Sequence, residues 1–543
     1  MFRRLLISTI AGLLLATPAA MAQEQRPPEA SPVVPDARDD AENPRALRLS
    51  LDQAVRATVE NNLQVRLEEY SFQMTGEAAR GQYGQFDWFG FGTFSTSETQ
   101  PAVEGAPSTE GLIGNVGVRQ NTPTGGAYSI GFNNRESLTL EPAYESSLGL
   151  QLNQPLLRDF GVDVTRRFIN IARNNLGISQ EGFRNALLLG VLAAEEAYYD
   201  LIFARQNLEV RQQSLDLARD QERITRIRID VGASAPLDIL EPRVAIATRE
   251  EEVISAEASI RDVEDRLRRL MNLPASDWDR PLIPTDPITY TPVEVDLEAS
   301  VARAFELRPE IRQAALGIES EEIQYLFARN QVLPELDFNL NYGVAGLGGT
   351  QIIRDPATNE PIGVVGGAYS DAVDQVLGFD FPSWTVSFNV GVPFRNIGPR
   401  SERRRAELSL ERSIEDKKDV EQLIAVQVRQ AARDIHTASR QIAASSTARE
   451  AAEQNLEAER RRFENGMSTN FDVLRVQQAL SDARSRELLA LVTYNKAVAA
   501  YHRSVGDLLQ MRGIAVEERT PEFAMPRSRL ERIDWLNFGH WFD

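Results

Sequence analysis

The chain has 543 residues, no cysteine, three histidines and a formal net charge of −20. The absence of thiols excludes a disulfide scaffold, a cysteine-ligated zinc site, a thiol nucleophile and an acylated N-terminal cysteine. His436, His502 and His540 are too far apart in sequence to suggest a histidine-rich metal site, and the acidic balance argues against nucleic-acid binding.

Residues 1–22 have the form of an export leader. Arg3 and Arg4 precede an apolar run over residues 5–15, and Ala20, Met21 and Ala22 fit the small-x-small cleavage rule. Residues 23–48 carry Pro27, Pro28, Pro32, Pro35 and Pro44 among charges and read as a flexible tether. No later stretch is apolar for long enough to cross a bilayer as a helix, so any membrane crossing must use strands.

The remainder is one plan written twice. Leu51, Val55, Glu60 and Arg66 recur as Leu297, Val301, Glu306 and Arg312, an offset of 246. Pro155 recurs as Pro393, at 238. Arg228, Gly232, Ser234, Asp238 and Leu240 recur as Arg462, Gly466, Ser468, Asp472 and Leu474, at 234. The anchors keep their order and the offset drifts slowly, which marks an internal duplication with small insertions. The first repeat is placed at 49–275, a linker at 276–295, the second repeat at 296–510 and a C-terminal tail at 511–543.

Each copy reads as helix, strands, long helix, turn, helix. Helices are expected over 50–84, 163–230 and 236–271, then over 297–332, 400–465 and 470–510. Leu187, Val191, Ala194, Tyr198 and Leu201 step by fours and threes, and Leu208 and Leu215 follow at sevens, which is a coiled-coil seam. Almost 70 helical residues make a rod of about 100 Å, and the two shorter helices of each copy sum to a similar length, so they can stack end to end beside it. Strands show as period-2 alternation. Leu336, Phe338, Leu340, Tyr342 and Val344 alternate with Glu335, Asp337, Asn339, Asn341 and Gly343, while Trp384, Val386, Phe388, Val390 and Val392 alternate with polar or small residues. This matches outer-membrane barrel strands, apolar towards lipid and polar towards water. Leu148, Leu150 and Leu152 repeat the pattern in the first copy, with residues 88–98 as a partner. Residues 112–120 and 127–133, around Thr122 to Gly126, can form an extra hairpin whose place in the membrane stays open. Residues 345–382 read as a long surface loop.

Four strands cannot close a barrel, and an open sheet edge is not tolerated in lipid, so several chains must pool their strands. Helical rods far longer than a bilayer, strands on the other side, and both features twice per chain resemble the TolC family of outer-membrane efflux proteins. The carriers are the run from Leu49 to Ala54, Gln154 to Leu157, Val392 to Phe394 and the two Gly-x-Ser-x-x-x-Asp-x-Leu turns. The resemblance implies a mainly helical chain with membrane strands, three copies forming a 12-stranded β-barrel on a 12-helix periplasmic barrel. It implies a homotrimer in outer-membrane lipid that serves as the passive exit duct of a tripartite efflux pump or type I secretion system, with a periplasmic adaptor and an inner-membrane pump as partners. No enzyme activity, cofactor or metal is called for. The competing structural reading is a periplasm-spanning coiled-coil scaffold or adhesin with a β membrane anchor.

A duct needs a pore, a closure and a docking surface. On the resemblance, Arg228, Gly232, Ser234 and Leu240, with Arg462, Gly466, Ser468 and Leu474, form the periplasmic tip that touches the adaptor. Gly232 and Gly466 suit a positive φ between helices, and Ser234 and Ser468, or Thr469 and Asn470, suit helix capping. Asp238 and Asp472 sit in a first helical turn, where a carboxylate complements the helix dipole. Threefold repetition would make Asp472 a carboxylate ring at a narrow axis. Arg475 stands where some family members carry a second Asp and can latch to Asp238 or Asp472 of a neighbour. Leu336, Phe338, Leu340, Trp384, Val386 and Phe388 are the expected lipid-facing strand residues.

Overall fold

The computed structural model describes residues 45–100, 108–137, 143–358 and 360–515. The leader, nearly all of the tether and most of the tail lie outside the described residues.

In chain order, β1 (Leu47–Leu49) leads into α1 (Leu51–Asn61) and α2 (Leu63–Gly81). Four strands follow: β2 (Phe89–Thr99), β3 (Thr109–Asn121), β4 (Ala127–Ser137) and β5 (Ala143–Pro155). A short α3 (Val162–Thr165) precedes the long α4 (Arg167–Asp230), and α5 (Leu240–Met271) returns. After β6 (Leu282–Pro284), the second copy runs α6 (Leu297–Leu307), α7 (Pro309–Asn330), β7 (Glu335–Gly349), β8 (Gln351–Arg354), β9 (Pro361–Val365), α8 (Tyr369–Gly378), β10 (Pro382–Gly391), α9 (Ile397–Glu464), α10 (Asn470–Val505) and α11 (Leu508–Met511).

The long helices α4 and α9 have 64 and 68 residues, rods of about 100 Å. The seam read from the sequence is buried: Leu187, Val191, Ala194, Tyr198, Leu201, Leu208 and Leu215 are each at most 5% exposed. Against α4 lie α1, α2 and α5, and against α9 lie α6, α7 and α10. The shorter helices do meet end to end. Asn62, between α1 and α2, donates from Nδ2 to the Leu270 carbonyl at 2.9 Å, and Arg308, between α6 and α7, donates from Nη1 to the Ser504 carbonyl at 3.0 Å. The two donors are 246 residues apart and the two acceptors 234, the same offsets as the sequence anchors. One joint has been copied with its repeat.

Those joints correct the expected single helices over 50–84 and 297–332. The first breaks where the Asn62 carboxamide caps the next helix, accepting from Gln64 and Val65 N–H. The second breaks because Pro309 has no N–H to continue α6 and holds Arg308 in an extended conformation, while suiting the first position of α7.

Near the middle of the rods, β1 pairs in parallel with β6. The fully buried Tyr198 of α4 anchors this patch, its hydroxyl 2.8 Å from Asp286 Oδ2 and 3.0 Å from the Leu49 carbonyl. Desolvation, together with the neighbouring Asp286 charge, pushes that phenol up to about 12.

The main sheet has six antiparallel strands in the order β10-β7-β5-β4-β3-β2. It therefore carries two strands more than the four per chain of a 12-stranded trimeric barrel. The hairpin β3–β4 is the cause, inserted between β2 and β5. Its turn is held in place at the helical end: Gly161 N–H donates to the Thr124 carbonyl at 3.1 Å, and Thr124 Oγ1 bonds Gln154 at 2.8 Å. Gly125 (φ 98°) is needed there, because a Cβ would fall 2.1 Å from the Asp159 carbonyl oxygen.

Residues 345–382 hold more structure than a surface loop. The strand β7 continues to Gly349, β8 and β9 form a separate hairpin, and α8 folds back onto β7 and β5. Gly346 and Gly348 make room for it, since a Cβ on Gly346 would meet the Ala372 carbonyl oxygen at 1.9 Å.

Candidate functional site

Two ends of the molecule carry the residues singled out in the sequence. At the strand end, direct cross-strand partners share a face, so the register sorts the side chains. One row runs Val118, Ile130, Leu150, Tyr342 and Trp384, and another Val116, Phe132, Leu148 and Val344. Leu336, Phe338, Leu340, Val386 and Phe388 share this apolar face. It is unpartnered over much of its area: Trp384 is 72% and Phe388 61% exposed. The opposite face reads Asn115, Asn133 and Ser147 in one row and Asn153, Asn339 and Ser387 in another. Across its middle, Gly117, Gly131, Gly149 and Gly343 stand side by side, with the Phe91 ring over the first two. Among the described residues no helix is long and apolar enough to cross a membrane; this sheet is the surface of apolar-in-one-direction, polar-in-the-other character that a barrel wall requires.

At the far end the two helical turns share their geometry. Gly232 has φ 76° and Gly466 φ 73°. In the first turn Gly232 N–H donates to the Ile229 carbonyl and Ala233 N–H to that of Arg228; in the second, Gly466 donates to Phe463 and Met467 to Arg462. The caps differ. Thr469 caps α10, its hydroxyl accepting from the Asp472 N–H at 3.3 Å and donating to Asp472 Oδ2 at 2.8 Å. Ser468 instead bonds Glu459. Before α5, the Asp238 carboxylate accepts the Ala235 N–H at 3.0 Å, and Ser234 caps nothing. Asp472 is held below the usual carboxylate range by the Thr469 hydroxyl first, with Arg475 contributing. Arg475 Nη2 lies 3.4 Å from Asp472 of its own chain.

Arg228 and Arg462, equivalent by sequence, part company. Arg228 donates to the Phe463 carbonyl at 2.8 Å and stacks 3.9 Å above the Phe463 ring, tying one hairpin to the other. Arg462 is largely exposed near Glu459. Leu474 is buried, whereas Leu240 is 54% exposed. The polar lock above the tip was not singled out in the sequence. Buried Arg249 of α5 donates to the Ser214 and Leu474 carbonyls and to Gln477, and buried Asn470 Oδ1 accepts from Gln221 and Thr225. An arginine stepping in register with Val253, Ala256 and Ile260 was its signal. Among the described residues no group of His, Asp and Glu is arranged to hold a metal.

The comparisons agree with this geometry. The outer membrane efflux protein family matches residues 123–273 and 301–507, one stretch in each copy. Outer membrane efflux protein BepC of Brucella suis biovar 1 is 28% identical over 118 residues, a match that covers 22% of this chain and 25% of that protein. The Campylobacter jejuni CmeC outer membrane channel superposes with a TM-score of 0.63 at 14% identity, covering 92% of this chain and 94% of that one. The open state of the Neisseria gonorrhoeae MtrE outer membrane channel gives 0.58 at 15% identity, with 84% and 89% covered. At these identities the structures speak to fold alone, which is TolC-like. With matching segments in both copies spanning most of its length, the chain belongs to the outer membrane efflux protein family.

Proposed function

We propose that this protein is the outer-membrane exit duct of a tripartite efflux or secretion assembly, working passively as a homotrimer with a periplasmic adaptor and an inner-membrane pump. The observation that carries the reading is the union, in one chain, of a sheet with an apolar face and two open edges and of rods about 100 Å long that end in paired turns. The edge strands β2 and β10 run in opposite directions, so β10 of one copy can pair antiparallel with β2 of the next, and no edge is left in lipid.

Unpaired helix faces support the same closure. On α2, Leu63, Leu67, Tyr70 and Met74 form a heptad-spaced stripe, each more than half exposed. Their equivalents on α7 at offset 246 include Gln313 and Ser320, which bond to Ile178 and Asn174 of α4. The bare stripe on α2 is the same surface waiting for α9 of a second copy, and exposed Leu240 on α5 fits the same neighbour.

In this reading the two turns are the periplasmic tip. Arg228, Gly232, Ser234, Leu240, Arg462, Gly466, Ser468 and Leu474 present the adaptor surface, and Asp238, Asp472 and Arg475 are the closure groups. Residues 1–22 are the leader that exports the chain, and the two repeats with their linker and tail keep the bounds read from the sequence. The test is fractionation followed by native mass measurement in detergent. Outer-membrane recovery as three copies is expected; a monomer in the soluble fraction would refute the assignment.

A further inference from the structure

The hairpin β3–β4 lies in the middle of the sheet rather than on it, and this changes the wall. We infer that the assembled duct has an 18-stranded membrane barrel, six strands from each of three chains, and so a membrane section as wide as the helical tunnel below it. The inference rests on the trimeric duct reading above.

Four observations carry it. First, β2 and β5 are not hydrogen-bonded to each other; β3 and β4 stand between them with unbroken registers of eleven residue pairs at each junction. The hairpin cannot be lifted out without opening the sheet. Second, β3 and β4 have 13 and 11 residues, enough for a tilted strand to cross the hydrocarbon. Third, their pattern continues that of β5 and β7: Val116, Val118, Ile130 and Phe132 extend the apolar face, and Asn115, Asn133 and Arg135 the polar one. Leu112, Val116, Val118 and Ile130 are exposed on that apolar face, and among the described residues nothing covers them. Fourth, a hairpin adds two strands, which leaves β2 and β10 antiparallel and the strand number even, as closure requires.

The circumferences agree. Each chain supplies four helical columns: α4, α9, and the two stacks of shorter helices. Twelve columns at 8–10 Å make a ring about 110 Å round. Strands 4.8 Å apart and tilted near 40° give about 75 Å for 12 and about 110 Å for 18. With 18 strands the sheet meets the helices without a taper, and barrels of that size hold an aqueous channel. The narrow point of the duct then belongs to the tip turns, not to the membrane.

The absence of native cysteine makes single-cysteine labelling clean. In intact outer membranes, N115C and N133C should react with a charged, water-soluble maleimide, whereas V116C and I130C should react with it at least about tenfold more slowly, because a thiol in lipid is not ionised. The pair N389C and F388C in β10 reports on the duct reading itself. Alternation in β10 with equal reaction at all four hairpin positions would overturn the 18-stranded wall and leave the duct standing. No alternation in β10 would remove both. Single-particle imaging of the solubilised trimer gives an independent count, with 18 strands expected and 12 contradicting.

Discussion

Asp472 is where charge, cap and symmetry meet. Its carboxylate is tied to Thr469 and Arg475 of its own chain, so in the proposed trimer Arg475 would trim the charge of a threefold ring rather than leaving it bare. D472A should therefore enlarge single-channel steps and weaken cation preference. The pH dependence has a definite sign. A carboxylate whose folded pKa is depressed stabilises the cap above its unfolded pKa, and that contribution disappears as pH falls through the folded value. The tip should behave alike from neutral pH to about pH 5 and loosen only below about pH 4, which a conductance–pH series checks. A second residue-scale pair lies near the middle of the rods. Glu195 is fully buried and grips Arg512 with two bonds of 2.6 and 2.7 Å. Burial works against the guanidinium's charge, but the Glu195 contacts prevail and raise Arg512 above the ordinary arginine range. R512A would leave Glu195 buried without its cation and should lower stability by about 3 kcal/mol, read as an earlier thermal melt. A melt unchanged from wild type would mean that the pair carries no net weight.

Elements differ in how plainly the sequence announced them. The ends of α4, α5, α9 and α10 were legible because Gly232, Gly466 and Thr469 are residues with local mechanisms. Both glycines have open space where a Cβ would sit, so G232A and G466A should each cost about 1 kcal/mol of backbone strain and no more; a larger loss would point to contacts the turns make elsewhere. The break at Asn62 was hidden, since the apolar pattern runs through it and the cap becomes visible only with Leu270 beside it. The break at Pro309 was there to be read, and helical periodicity on both sides masked it. Strands β3 and β4 were seen as a hairpin, but single-residue alternation cannot say which strands are neighbours, and insertion between β2 and β5 is a property of pairing. The Arg249 lock was illegible for the same reason: its partners come from α4 and α10, distant in sequence. Its removal tests how the copies are joined. R249M keeps the aliphatic stem and strips the donors from three buried acceptors, and a loss of about 3 kcal/mol in a denaturant titration is expected.

At the scale of the whole molecule, duplication explains both what is complete and what is unfinished. The second copy's stacked helices already cover α4, while the first copy's lie bare along α2 and α5, and two sheet edges are open. Rotation about one axis would answer all of these needs with the same contacts, and the proposed closed ring, rather than a monomer, is the state that satisfies them. In that proposed ring, six strands and four helical columns per chain would make two walls of matching girth around one duct. The most direct test of that account is single-channel current across a planar bilayer from protein extracted out of outer membranes. Discrete, cation-preferring steps from the wild type that grow with D472A are the expected result. Membrane-inserted trimers that pass no current, in the variant as in the wild type, would contradict the duct and return the protein to the scaffold reading.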